Sequence, residues 1–343
     1  MNVLITGCSR HSKELVDCLK NNEDGVKVGV VGVDCNELNI LRTNVDKFAI
    51  VPPITHPGYI DTLLELCYKN DVDVILPYIT AELGLLAANR NRIEAEGVKV
   101  SVASTESLAV ANNKVALAGV FPELMPEQTV AHTGAEVYAF ADKIGYSRGN
   151  TFCCKLSNKC GGAGFAVVDE GKALDITTFN RLGVNRYMKL AHIAEVADTQ
   201  DVDIILQRYI PGLDYSVSVL ADHGEIVQMC GFAGYAMEYG AVTSGEILKN
   251  DSAYAIAEKV VSEIGLDGNA CLDFIIDKDG KPWLLEINPR INATLPFLAR
   301  AGLNLAYLRC RQLMGFDVSG KRNIEYGLRM GKFYESYYYR TDI

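Results

Sequence analysis

The sequence predicts an α/β protein made of a helix-covered parallel sheet followed by two α+β lobes. Three observations carry this prediction. Strand and helix patterns alternate over residues 1–110, a glycine-rich segment separates two strands near mid-chain, and an acidic hairpin pattern lies near residue 280. A chain of 343 residues is also long for one core, so two or three structural units are expected.

Residues 1–110 form the first predicted unit. Short runs rich in Val and Ile alternate with helical periodicities, which is typical of a parallel sheet with helices on both faces. Strands are predicted at 3–6, 26–34, 72–77 and 98–102, and helices at 13–20, 59–70 and 83–97. Only Gly7 follows the first strand, so the three-glycine dinucleotide fingerprint is missing and an NAD-dependent dehydrogenase is a minor alternative.

Residues 111–206 form the second predicted unit, which is centred on a glycine-rich segment between two strands. The segment lacks the Gly-Lys-Ser/Thr and the following helix of a Walker A motif. Its small residues allow backbone N–H groups to approach phosphates closely: Gly161, Gly162, Ala163 and Gly164. Lys155, near the end of the preceding strand, is within reach of the same phosphates. A mobile hairpin tip is the alternative interpretation.

Residues 207–343 form the third predicted unit. A buried strand, a Pro-Gly turn and an alternating strand open it. The extended segment from Gln207 to Ile210 is able to offer main-chain groups to a flat heterocycle. Asp214, at the start of the next strand, is placed to accept a hydrogen bond from a ribose.

The hairpin near residue 280 predicts a metal site. Asp279-Gly280 favours a two-residue type I′ turn, because both central residues of that turn need positive φ. Asp273 then lies opposite Glu286, with Asn288 two residues further on the same face. The predicted core pairs of the other face are apolar: Ile276 with Trp283, Phe274 with Leu285, and Leu272 with Ile287.

Clustered carboxylate and amide oxygens are the ligands that hard divalent cations prefer. Arg290 comes two residues after Asn288, so it is expected on the same face. Its guanidinium group is able to bind an anion through two N–H groups. Two alternatives stay open. A three-residue bulged turn would slip the register and separate the carboxylates, and an ordinary hairpin would simply expose a polar face.

Composition and charge exclude several classes of protein. The net charge of −10 argues against a nucleic-acid partner, and the apolar runs are too short for a membrane span. The N-terminus enters a strand directly instead of a signal-peptide pattern, so a cytoplasmic location is expected. Ten cysteines without a C-x-x-C pair indicate free thiols in a reducing compartment.

Four signals stand in a fixed order: Lys114, Lys155 with its glycine loop, Gln207 through Asp214, and Asp273 with Glu286-Ile-Asn-Pro-Arg290. In that order they resemble the ATP-grasp superfamily, most closely the branch of the carbamoyl-phosphate synthase large subunit and single-chain amino-acid ligases. The resemblance implies a Rossmann-like pre-ATP-grasp domain at 1–110. It also implies a two-lobed ATP-grasp fold, with a small lobe and glycine-rich lid at 111–206 and a large lobe with the metal site at 207–343.

The resemblance also implies the nucleotide contacts. Lys114 and Lys155 would hold the phosphates of ATP under the lid formed by 161–164. Gln207, Tyr209 and Ile210 would line the adenine slot, together with main-chain groups at 208–210. Asp214 would bind the ribose. Arg208 stands where the family often has glutamate, and Asp214 is one methylene shorter than the usual glutamate.

For the chemistry, the resemblance implies that Asp273, Glu286 and Asn288 carry one or two Mg²⁺ ions, with Mn²⁺ as a substitute. Arg290 and Lys155 would be the catalytic cations, Arg290 stabilising the γ-phosphate in transfer. The implied activity is an ATP-dependent carboxylate–amine ligase that forms an amide or peptide bond through an acyl phosphate, on amino-acid-type small molecules. A phosphotransferase and a non-catalytic nucleotide-binding module are the alternatives.

The implied partners are a small-molecule carboxylate and amine, whose identities the sequence leaves open. The acceptor pocket of this family lies where the first and third units meet, and candidates there are Arg10, Glu82, Tyr235 and Ser244. A homodimer is the default expectation for the assembly.

Overall fold

A computed structural model describes residues 1–7, 12–156, 164–175, 186–238, 241–333, 335–336 and 338. Gly161, Gly162, Ala163 and the acceptor candidate Arg10 therefore lie outside the described residues. Within them the chain forms three sheets that follow one another along the sequence. The predicted fold class, a parallel-sheet domain followed by mixed α/β lobes, is confirmed.

The first sheet is parallel, with the strand order β3-β2-β1-β4-β5. Its strands are β1 (Asn2–Thr6), β2 (Gly29–Asp34), β3 (Lys47–Ile50), β4 (Val74–Pro77) and β5 (Lys99–Val100). Its helices are α1 (Ser12–Lys20), α2 (Tyr59–Lys69), α3 (Leu83–Ala88) and α4 (Arg90–Ala95), with short 3-10 helices at Ile40–Thr43 and Thr80–Glu82. The strand order reverses between β1 and β4, so their carboxyl ends flank a crevice of the kind where open α/β sheets bind ligands.

Two elements of this unit differ from the prediction. The sequence pattern missed β3, because its four residues are half-buried or exposed and show no continuous apolar run. The helix predicted over 83–97 is two helices, α3 and α4, which meet at Asn89.

The helices α5 (Thr105–Ala111) and α6 (Lys114–Val120) lead into the second sheet, ordered β6-β10-β7-β8-β9. Its strands are β6 (Gln128–Ala131), β7 (Phe152–Leu156), β8 (Phe165–Val168), β9 (Tyr187–Met188) and β10 (Ile204–Arg208). Its helices are α7 (Gly134–Ile144), α8 (Glu170–Ala173) and α9 (Leu190–Thr199), with a 3-10 turn at Tyr146–Arg148. Apolar side chains of α7 and α9 pack on one face of this sheet, which leaves the other face for polar residues.

The third sheet is antiparallel, with the order β15-β14-β11-β12-β13-β16. Its strands are β11 (Gly212–Asp222), β12 (Glu225–Glu238), β13 (Ala241–Ile247), β14 (Gly268–Asp277), β15 (Pro282–Asn288) and β16 (Arg329–Gly331). Its helices are α10 (Asp251–Glu263), α11 (Leu295–Arg300) and α12 (Leu305–Leu313). None of the described helices is long and apolar enough to cross a membrane.

The turn of the β14–β15 hairpin differs from the prediction. Asp277 N–H bonds to Lys281 O at 3.0 Å, so the loop holds three residues, and among them only Gly280 has positive φ. The carboxylate of Asp277 stabilises this wider loop by accepting from the N–H groups of Asp279 and Lys281. The predicted type I′ turn is therefore wrong, and the register next to the turn is slipped by one residue.

A β-bulge then restores the predicted register. The partner of Phe274 is Leu284, whereas the partner of Asp273 is Glu286, so Leu285 is the extra residue. The predicted pairs of Ile276 with Trp283 and of Phe274 with Leu285 are wrong. The predicted pairs beyond the bulge are observed: Leu272 with Ile287 and Asp273 with Glu286.

The bulge also changes which side chains face the core. Leu284 is fully buried in place of Leu285. Trp283, which the sequence places in the core, is half-buried and donates its ring N–H to Asp277 Oδ2 at 2.9 Å.

A buried ion pair fastens the first sheet to the third. Arg309 is 2% exposed and binds both carboxylate oxygens of Asp267, at 3.0 and 2.8 Å. Its Nε–H donates to Ser101, which follows β5, and Arg90 of α4 also donates to Asp267 at 3.1 Å. The pair thus joins residues of both units through one carboxylate.

Removing this carboxylate should destabilise the protein strongly. Asp267→Ala leaves Arg309 buried without a counter-charge, so we expect a loss of about 3–5 kcal/mol in urea unfolding. The matched control is Asp17→Ala, which breaks the exposed 2.7 Å pair with Lys13 and should cost about 0–1 kcal/mol. Equal effects of the two substitutions would contradict the fastening role of Asp267.

Candidate functional site

The site centres on two carboxylates that lie side by side on β14 and β15. Asp273 and Glu286 are direct register partners. The amide of Asn288 donates to Asp273 Oδ2 at 2.9 Å and lies 3.4 Å from Glu286 Oε1. Ser216 on β11 donates to the other Asp273 oxygen at 2.7 Å. The three predicted ligand residues are therefore together.

A lysine from another part of the chain balances this pair. Lys114 is the first residue of α6, and its Nζ lies 2.8 Å from Glu286 Oε2. The side chain of Asn113 caps the helix and fixes the backbone on which Lys114 stands. The ammonium group thus lies against Glu286, one member of the acidic pair.

The two carboxyl groups respond differently to this environment. Burial, together with the charge of Glu286, raises the pKa of Asp273 to about 6. Burial also acts to raise the pKa of Glu286, but the charge and hydrogen bond of Lys114 offset it and hold that pKa below its usual range. The two neighbouring carboxyl groups repel each other when both are ionised, so a second cation beside Asp273 would be favourable.

The second predicted phosphate lysine lies on the second sheet. Lys155 Nζ donates to Gln207 Oε1 at 3.0 Å, and its charge also acts on Glu286. Gln207 Nε2 in turn donates to Gln128 Oε1 at 2.7 Å. Gln207, expected to line an adenine slot, is thus bonded to a lysine and to a second glutamine.

The extended segment after Gln207 borders a cavity. The N–H groups of Arg208 and Tyr209 bond to Glu127 O and Thr151 O, so the fold uses these two main-chain donors itself. Tyr209 is exposed. Arg208 and Ile210 line a cavity of ≈ 620 Å³. Other residues of its lining are Met125, Gln128 and Trp283.

Two further predicted residues lie at the margins of this region. Asp214 is exposed at the start of β11, where it pairs with Gly234. Gly164 has φ +68°, and an added Cβ would lie 2.8 Å from the Leu156 side chain. Glycine is therefore required where the segment re-enters β8.

Arg290 faces the first sheet. Its Nε–H donates to Thr80 Oγ1 at 2.9 Å, and Nη1 donates to Ile291 O at 2.9 Å. Thr80 lies just beyond β4, at the crevice where the strand order reverses. Arg290 thus connects the carboxylate hairpin to the ligand-binding edge of the first unit.

The acceptor candidate Glu82 supports this edge from inside. It is fully buried and accepts from Thr6, Tyr59 and the N–H groups of Tyr78 and Ile79. Burial raises its pKa. Its hydrogen bonds to the N–H groups of Tyr78 and Ile79 hold the loop that carries Thr80. The other two described candidates lie near β13: Tyr235 donates to Glu246, and Ser244 pairs with Gly331 in the ladder.

The donor set of the hairpin fits a hard divalent cation. Two carboxylates and an amide oxygen are oxygen ligands, and the acidic pair attracts positive charge, as its contact with Lys114 shows. The sequence reasoning missed three contributors to the site: Ser216, Gln128 and Thr80. Ser216 follows Asp214 by two residues, so strand alternation alone could have placed it on the same face.

Two family models match the chain. Residues 3–101 match the model described as "PylC-like, N-terminal domain", and residues 200–335 match "ATP-grasp in the biosynthetic pathway with Ter operon". By the second match, residues 200–335 belong to the ATP-grasp superfamily. This confirms the predicted superfamily.

Among curated proteins, the ATP-grasp chain is similar to the carbamoyl phosphate synthase large chain of Pasteurella multocida (strain Pm70). The two are 23% identical over 275 residues, which cover 76% of this chain but only 24% of that protein. The chain therefore spans about a quarter of the length of this relative.

Among solved structures, the fold is similar to two ATP-grasp enzymes. One is the biotin carboxylase domain dimer of Hydrogenobacter thermophilus 2-oxoglutarate carboxylase, in complex with MgADP, ADP and bicarbonate. Its TM-score is 0.65 at 16% identity, covering 94% of this chain and 72% of that one. The other is L-amino acid ligase from Bacillus licheniformis, with TM-score 0.60 at 16% identity and coverages of 91% and 74%. The homodimer and the cytoplasmic location stay predictions.

Proposed function

We propose that this ATP-grasp protein is an ATP-dependent carboxylate–amine ligase that joins amino-acid-type small molecules. One observation carries the proposal. Lys114 of α6 and Lys155 of the second sheet both act on the acidic hairpin of the third sheet, while Arg290 extends from that hairpin to the crevice of the first sheet. A nucleotide site and a small-molecule site are thereby adjacent.

The comparisons support the substrate class. The carboxylase domain was solved with MgADP and bicarbonate, and another neighbour is an L-amino acid ligase. Both carry the fold of this chain. We therefore propose ATP as the phosphate donor and a carboxylate as its acceptor, with an amino acid as the class of small molecule.

The charged residues would act by position and electrostatics. Lys114 and Lys155 are long cations on different elements, so together they are able to hold the phosphates of ATP from two sides. Mg²⁺ held by Asp273, Glu286 and Asn288 would neutralise charge on the transferred phosphoryl group. In this proposal Lys114 contacts the phosphates when ATP is bound. ATP binding would therefore replace its ion pair with Glu286 by a contact with phosphate.

Arg290 would orient the acceptor carboxylate. Its Nε–H is held by Thr80, so the guanidinium is fixed where the first and third units meet. The carboxylate oxygen attacks the γ-phosphorus and ADP leaves, which gives an acyl phosphate. The amine then attacks the acyl carbon, and phosphate leaves as the C–N bond forms. Arg290 stabilises negative charge in the first step.

A product screen tests the proposed reaction. The protein is incubated with Mg-ATP and amino acids in pairs, and ADP, free phosphate and product mass are measured. We expect ADP and phosphate in equal amounts, with a product whose mass is the sum of the two amino acids minus water. Asp273→Asn serves as the inactive control in the same screen.

Two other results of the screen would contradict the proposed ligase activity. A stable phosphoester without free phosphate would identify a phosphotransferase. ATP binding without any turnover, across amino acids, dipeptides and hydroxy acids, would favour a nucleotide-binding module.

The acidic pair should be indispensable for turnover. Asp273→Asn and Glu286→Ala each remove a cation ligand, and we expect ATP turnover to fall by at least about 10²-fold while the folded state persists. The matched control is Asp279→Asn, an exposed carboxylate in the turn of the same hairpin, which should leave turnover unchanged. Turnover near the wild-type rate in both site variants, with circular dichroism unchanged, would sink the metal assignment.

Trp283 provides a direct signal for nucleotide binding. It is the only tryptophan of the chain and lines the same cavity as Arg208 and Ile210. A base bound against residues 208–210 changes the surroundings of its ring, so MgADP should change its fluorescence with saturable dependence on concentration. Trp283→Phe, titrated by calorimetry, is the control that keeps binding and loses the signal. A flat titration of the wild type, despite calorimetric binding, would place the base elsewhere.

A further inference from the structure

Three polar side chains lie in a row across the second sheet, on its three adjacent strands β6, β10 and β7. Gln128 and Gln207 are direct register partners, and Lys155 is diagonal to Gln207 because its own partner is Ile205. Diagonal and direct neighbours on one face are within reach of long side chains. The row is continuous: Lys155 Nζ to Gln207 Oε1 measures 3.0 Å, and Gln207 Nε2 to Gln128 Oε1 measures 2.7 Å.

The row continues to the helix that carries the other lysine. Gln128 Nε2 donates to the main-chain carbonyl of Lys114 at 3.1 Å. Three hydrogen bonds thus run from the ammonium of Lys155, through two amides, to the backbone of Lys114. We name this set of Lys155, Gln207, Gln128 and the Lys114 carbonyl the amide relay.

The groups at the two ends of the amide relay determine how both glutamine amides are oriented. A lysine ammonium only donates, and a carbonyl oxygen only accepts. Gln207 must therefore turn its oxygen to Lys155 and its N–H₂ to Gln128, and Gln128 must turn its N–H₂ to Lys114. Neither amide is able to flip without leaving two donors or two acceptors facing each other.

Burial makes the amide relay sensitive to interruption. Gln207 is 2% exposed, so its amide has little water with which to replace a lost partner. An interrupted bond in such a place leaves a buried polar group unsatisfied. Replacing either glutamine would therefore change the orientation of Lys155 as well as that of the adjacent amide.

We propose that Gln128 is a positioning residue for nucleotide binding, which acts through Gln207 to hold Lys155 at a fixed distance from the helix of Lys114. The proposal rests on the function proposed above, because it assigns the two lysines to nucleotide phosphates. Gln128 does not touch the phosphates. It links the elements that carry the two cations, so that both approach a nucleotide from preset positions, and less ordering is needed on binding.

The test measures MgADP affinity of the full chain by calorimetry and by Trp283 fluorescence. Gln128→Leu keeps the side-chain size but removes both hydrogen bonds to neutral amide groups, and we expect the dissociation constant to rise by about tenfold. The matched control is Thr129→Ala, the exposed next residue of β6, which should bind like the wild type. A circular dichroism spectrum like that of the wild type checks that Gln128→Leu is folded.

A conservative variant separates positioning from packing. Gln128→Asn keeps an amide donor and acceptor on a side chain one methylene shorter and adds no charge, so the amide relay predicts that it binds MgADP at least about threefold more tightly than Gln128→Leu. If Gln128 only fills space, the apolar Leu is the better substitute and the order is reversed. That reversed order would overturn the proposal.

A double-mutant cycle tests the continuity of the amide relay. Breaking it at either glutamine disables the same path, so Gln128→Leu/Gln207→Leu should bind no more than about twofold more weakly than the worse single variant. If the affinity losses of the two single variants multiply in the double variant, the two glutamines act independently. That result would overturn the proposal.

The wild type separates the two hypotheses. Wild-type binding with an unaffected Gln128→Leu variant overturns the positioning role alone, whereas a wild type that does not bind MgADP overturns the proposed function and this inference together.

Discussion

The site depends on two carboxylates placed side by side without a fixed cation of their own. Asp273 and Glu286 are cross-strand partners, and like charges directly opposite each other destabilise a sheet. Lys114 relieves part of this repulsion from a helix far away in sequence. Two positively charged groups, Lys114 on its helix and Lys155 on the second sheet, therefore act on the acidic hairpin. A divalent cation and a polyanion, as proposed here, would relieve this repulsion further.

Contacts of Arg290 place the first sheet next to this charged site. Buried Glu82 holds the loop after β4, Thr80 of that loop holds Arg290, and Arg290 follows the carboxylate hairpin by two residues. The ion pair of Asp267 and Arg309 fastens the same two units at a second point. In the proposed reaction, these contacts within one chain would hold the phosphoryl donor next to its acceptor.

Much of the fold was predictable from the local sequence pattern. The loop length and the bulge of the β14–β15 hairpin were not. Asp279-Gly280 correctly indicates a turn. The loop length, however, depends on Asp277 bonding two N–H groups, and the compensating bulge depends on Leu284 packing in the core. The carboxylate pairing was right although its predicted turn was wrong. Gln128 gave no local signal, because its role rests on pairing with Gln207, 79 residues away.

The central claim is that Asp273 and Glu286 share a cation with the nucleotide while Lys114 moves to the phosphates. Crystals grown with MnADP, measured at the manganese absorption edge, test it most directly. The account predicts an anomalous peak at coordination distance, about 2.1 Å, from oxygens of both residues. It also predicts Lys114 Nζ on a phosphate oxygen instead of Glu286. Manganese bound away from this pair, or Lys114 still on Glu286 beside bound nucleotide, would contradict it.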